Sequence, residues 1–108
     1  MKHPADYTHE EWTSWYRRAQ IHVSVAPRLT EELRSSDEVI TRSLFATAAA
    51  TLVELDDDII VGEFLAQMMR SAGESAAVNA IVNEMSLVAQ NLLQAIVDAH
   101  AGIDPDEY

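Results

Sequence analysis

A chain of 108 residues with a formal net charge of −11 has room for one folded domain. It has few cations with which to neutralise phosphates, so nucleic acid and anionic membrane are excluded as partners. A hydrophobic content of 48% is enough for a packed core, and the absence of cysteine removes any disulfide framework, thiolate nucleophile or Cys-ligated metal.

Residues 1–6 form a polar lead without the apolar run of a secretory signal. Thr8 and Glu11 then match the Thr-x-x-Glu capping box, and Tyr7 and Trp12 take the two positions of a hydrophobic staple, so a helix is expected to start at His9. Its apolar positions are Trp12, Trp15 or Tyr16, Ala19, Val23 and Ala26. Pro27 restricts the residue before it and is expected to close the helix, giving 9–25. A strand over the β-branched 21–25 is the alternative. A short helix over 28–35, with Leu29 and Leu33 inward, is allowed by a proline in its first turn.

Ser35 with Glu38, and Asp37 beside them, give a second capping signal for a helix over 38–55. Its inward stripe reads Ile40, Leu44, Thr47/Ala48, Thr51/Leu52 and Leu55, and the small residues from Ala46 to Thr51 suit a central position with close neighbours. At Asp56, Asp57 and Asp58 the apolar phase shifts to Ile60, Phe64, Leu65, Met68 and Ala72. A break is therefore expected, with a new helix over 58–72 started by the aspartates; one helix from 38 to 72 is the alternative. Gly73 is read as a stop and Ser75 as the cap of a last helix over 76–101, closed by Gly102 and Ile103. A mobile tail follows at 103–108. The fold class is thus all-α, a small single-domain bundle of four to five helices.

The last helix carries a heptad, with Val78, Met85, Leu92 and Ala99 at a, Ile81, Val88 and Ala95 at d, and Val82, Ala89 and Ile96 at e. Much of its remaining surface is polar but uncharged or apolar: Asn79, Asn83, Ser86, Gln90, Leu93, Gln94 and Val97. Depletion of charge marks interface cores, so these seven residues are the expected homodimer interface. The cluster Trp12, Trp15, Tyr16, Arg17 and Arg18 admits two readings. Trp15 and Arg18 could anchor a partner, or Trp12 and Tyr16 could enter the core with Trp15 half exposed. Asp56, Asp57 and Asp58 join Trp15 and Arg18 as the candidate partner-binding residues.

No metal, cofactor or catalytic residue is assigned. The aspartates lack calcium-loop spacing, and His3, His9, His22 and His100 are too scattered to pair on one helical face. The serines lie in no nucleophile elbow. No stretch approaches the ~20 apolar residues of a membrane span. A cytoplasmic location is expected, and the single lysine beside six arginines suits a GC-rich bacterial or phage source.

These features point to a non-enzymatic interaction module, an acidic adaptor, inhibitor or immunity-like factor that binds a protein partner. The alternative is a small-molecule-binding or enzyme accessory domain with a pocket of Phe64, Met68, Met69 and Met85. A nucleic-acid mimic is a minor branch, because the acids are scattered.

Overall fold

The computed structural model describes residues 6–35, 42–69 and 72–101, with backbone only at 35, 100 and 101. Three helices account for nearly all of them: α1 (His9–Ser35), α2 (Arg42–Met68) and α3 (Ala72–Ala101). No strand occurs among the described residues, 21–25 included. The bundle is elongated, 54 × 24 × 17 Å, because each helix is about 40–45 Å long and none folds back on itself.

The start of α1 follows its sequence signal. The Glu11 amide donates to Thr8 Oγ1 at 3.2 Å, and the Thr8 amide reaches back to Glu11 Oε1 at 3.4 Å. Tyr7 and Trp12, the staple pair, are partly buried against the core. The capping signal at Ser35, Asp37 and Glu38, the end signal at Gly102 and Ile103, the lead up to residue 5 and the tail 103–108 lie outside the described residues.

Two expected breaks do not occur. Pro27 stands inside α1. The proline is exposed, while Ala26, Leu29 and Leu33 are buried on either side of it, so packing holds the helix together where one hydrogen bond is missing. Residues 9–25 and 28–35 are therefore one helix. Likewise α2 runs through Asp56, Asp57 and Asp58. Leu55, Ile59, Gly62 and Ala66 continue the inward face of Ala48 across the aspartates. Of the expected inward set, Leu65 is buried, whereas Ile60, Phe64, Met68 and Ala72 are exposed. Ala72 and Gly73 belong to the first turn of α3, and Ser75 caps nothing in the expected way: its hydroxyl donates to the Ala66 carbonyl at 2.9 Å, tying α3 to the end of α2.

The central element is α3, against which both other helices pack more extensively than against each other. Its expected seam is the one used: Val78, Ile81, Val82, Met85, Ala89, Leu92 and Ala95 are buried, and Val88, Ile96 and Ala99 partly so. The small-residue segment of α2 does not hold that place; Ala46, Thr47, Ala49 and Ala50 are exposed.

Along α1 the buried positions are Trp15, Ala19, His22, Ala26, Leu29 and Leu33, spaced alternately four and three. Trp15 is fully buried and Trp12 and Tyr16 half-buried, the reverse of the expected order. The indole fits because α2 presents Gly62 to it: a Cβ there would stand 2.5 Å from Trp15 Cζ2 and 2.5 Å from Val82 Cγ2. All three helices meet at this hydrogen atom.

Candidate functional site

Trp15 sets the geometry of the α1–α2 contact. Its Nε1–H donates to the Asp58 backbone carbonyl at 2.9 Å, which satisfies the one polar atom of a buried indole. The same aspartate uses its side chain on α1. Oδ2 lies 3.0 Å from His22 Nε2, and Oδ1 lies 3.5 Å from the Arg18 guanidinium. Residues 15, 18 and 22 fall on one side of α1 through helical spacing, so one residue of α2 receives three side chains. His22 and Asp58 are nearly buried, whereas Arg18 is half exposed.

Beside this node lies an open hollow of about 410 Å³ lined by Arg18, Ile21, His22, Glu54, Asp57 and Asp58. A shallower one lies at the start of α1, between Tyr7, Glu10, Glu11, Ser14 and Arg18. The first contains a His–Asp pair but no hydroxyl or thiol that the imidazole could activate. Among the described residues no three of His, Asp and Glu converge as a metal site.

Of the candidate partner-binding residues, Asp56 and Asp57 are exposed and Arg18 is half exposed. Trp15 is core, so it presents nothing to a partner, and Asp58 is tied up between helices. His22 gives no signal in the sequence, because a lone histidine among apolar positions does not show its pairing 36 residues away. Ile21 and Glu54, which complete the hollow, give no signal either.

The α3 residues lie on the outer side of the helix. Asn79, Asn83, Gln90, Leu93, Gln94 and Val97 are exposed and Ser86 is half-buried. Positions 79, 83, 86, 90, 93 and 97 are spaced alternately four and three, a second seam facing away from the core. It is about 27 Å long and without a charge.

A further apolar stripe lies on α2, where Val53, Ile60, Phe64 and Met68 are 61%, 52%, 46% and 39% exposed. Of the residues proposed to line a ligand pocket, Met85 is fully buried and Met69 half-buried, while Phe64 and Met68 are exposed. Finally, α3 reaches the length and mean hydropathy of a membrane span over Ala72–Ala99, which corrects the expectation that no segment does. One side of that span builds the core, and its outward side carries four of the amides named above. No family model, curated protein or solved structure matches the chain.

Proposed function

We propose that this chain is a non-enzymatic, cytosolic protein-interaction module that pairs with a second copy of itself through α3 and leaves its acidic surface free for a protein partner. The observation that carries the reading is the uncharged outward seam of α3 in a molecule of net charge −11. A solvated helix in such a chain has every reason to carry carboxylates there. A twofold contact would bury the same seam twice, with amides from Asn79, Asn83, Gln90 and Gln94 bonding across it and Leu93 and Val97 forming its apolar end.

The test is the mass in solution. Light scattering at about 100 μM, a concentration at which a micromolar dimer is mostly formed, is expected to give twice the chain mass. Leu93→Arg forces a charge into the apolar end of the contact and is expected to halve that mass while leaving the helical circular dichroism unchanged. A wild-type monomer at that concentration removes the dimer from the reading.

A further inference from the structure

The outward stripe of α2 follows a helical seam of its own. Positions 53, 57, 60, 64 and 68 are all exposed and fall within a sector of about 80°, running about 22 Å along the helix. Four are Val53, Ile60, Phe64 and Met68; the fifth is Asp57. A surface apolar stripe of this size calls for a cover, and its surroundings say what kind.

Asp56 and Glu63 border the stripe on one side and Glu54 on the other, all exposed. The described cation of α2, Arg42, stands eleven residues before Val53, about 16 Å away. Asp57 and Glu54 also line the hollow against α1, beside Ile21, which is 58% exposed. In that hollow Asp58 is already matched by His22 and Arg18. Glu54 and Asp57 have no ion-pair partner among the described residues. A second copy would set these carboxylates against their own kind, at a cost that rules self-pairing out for this face.

We infer that the outer face of α2 is a docking site for an amphipathic helix of a partner protein, apolar along one side and carrying Lys or Arg on its flanks. The apolar side covers Ile60, Phe64 and Met68 in the manner of a helix laid on a helix. A basic side chain enters the hollow, its stem over Ile21 and its charge between Glu54 and Asp57. The inference rests on reading the chain as an interaction module, but it uses a face separate from the α3 seam.

The test uses the full chain and three fluorescein-labelled peptides of about 18 residues, long enough to span the stripe. One has leucine on one face and Lys/Arg on the flanks. Its acidic twin has Glu for every base, and the third keeps the basic composition with the helical period scrambled. Fluorescence anisotropy is expected to give the basic amphipathic peptide a Kd of about 1–10 μM, and the two controls at least about tenfold weaker. Ile60→Ser and Asp57→Lys, both at exposed positions, are each expected to weaken it about tenfold. Leu93→Arg on α3 is expected to leave it unchanged, so failure of the dimer and failure of this site are told apart.

Equal binding of the scrambled peptide reduces the effect to unspecific charge and overturns the inference. So does equal binding of the acidic twin, wild-type affinity in Ile60→Ser, or no binding of the basic peptide at about 100 μM. If Ile60→Ser lowers the mass of the protein in solution, a second copy covers the stripe and the inference is likewise wrong.

Discussion

Gly62 is the residue on which the packing of all three helices turns. Glycine inside a helix costs about 1 kcal/mol relative to alanine, so Gly62→Ala taken alone strengthens α2. Here the new methyl meets two core atoms at 2.5 Å, one on the Trp15 ring and one on Val82, and neither is the free end of a flexible side chain. Overpacking of this kind costs about 1–3 kcal/mol, and it also pushes the indole away from the Asp58 carbonyl, a hydrogen bond contributing about 1 kcal/mol. Strain therefore wins, and Gly62→Ala is expected to lower stability by about 1–2 kcal/mol in urea denaturation. An equal or raised midpoint means that α1 and α3 can separate slightly at no cost. The sequence showed the glycine and the tryptophan 47 residues apart, and nothing local connects them; only the register of α1 against α2 does.

At the scale of elements, the start of α1 was legible, whereas the start of α3 and the absence of breaks within α1 and α2 were not. A cap is written in adjacent residues, so Thr8 and Glu11 placed the start of α1 correctly. A stop depends on whether packing outweighs a local weakness, which adjacent residues do not reveal. At Asp56 to Asp58 the sequence is ambiguous for a definite reason: Ile60, Phe64 and Met68 are apolar, and the helix would have to break for them to point inward. They point outward, so the apparent phase shift was the mark of a second apolar face. The histidine at 22 hid the α1 seam in the same way, because a polar residue stood at a buried position.

Pro27 gives this account of stops a quantitative test. An interior proline removes one helical hydrogen bond, here to the carbonyl of Val23, and costs about 3 kcal/mol in an isolated helix. Against this, proline restricts the unfolded chain, an effect of about 0.4–1 kcal/mol that its removal forfeits. Pro27→Ala is therefore expected to stabilise the protein by about 2 kcal/mol, read from the urea midpoint at unchanged slope. No gain would mean that α1 already relieves the Val23 carbonyl through a local bend, for which the Thr30 hydroxyl donating to the Ala26 carbonyl at 3.0 Å is the candidate.

For the molecule as a whole, the question is whether its charges attract or repel on balance. Across α2 and α3 the described residues include Glu54, Asp56, Asp57, Asp58, Glu63, Glu74, Glu84 and Asp98 against Arg42, in a body only 24 × 17 Å in cross-section. Those dimensions place many like charges within about one Debye length of one another at ~20 mM salt, where that length is roughly 20 Å, and salt near 200 mM shortens it to less than ~10 Å. The Arg18–Asp58 contact opposes this, but with the arginine half exposed it contributes no more than about 0–1 kcal/mol. Repulsion should dominate. Raising sodium chloride from about 20 to about 200 mM is then expected to raise the thermal midpoint by a few degrees, measured at a fixed protein concentration because a dimer makes the midpoint depend on it. Leu93→Arg, designed to break the proposed dimer, provides the control: it should keep the rise, since the repulsion lies within each chain. A midpoint that falls with salt would show instead that the node joining Arg18 and His22 to Asp58 contributes more to stability than the surrounding carboxylates remove.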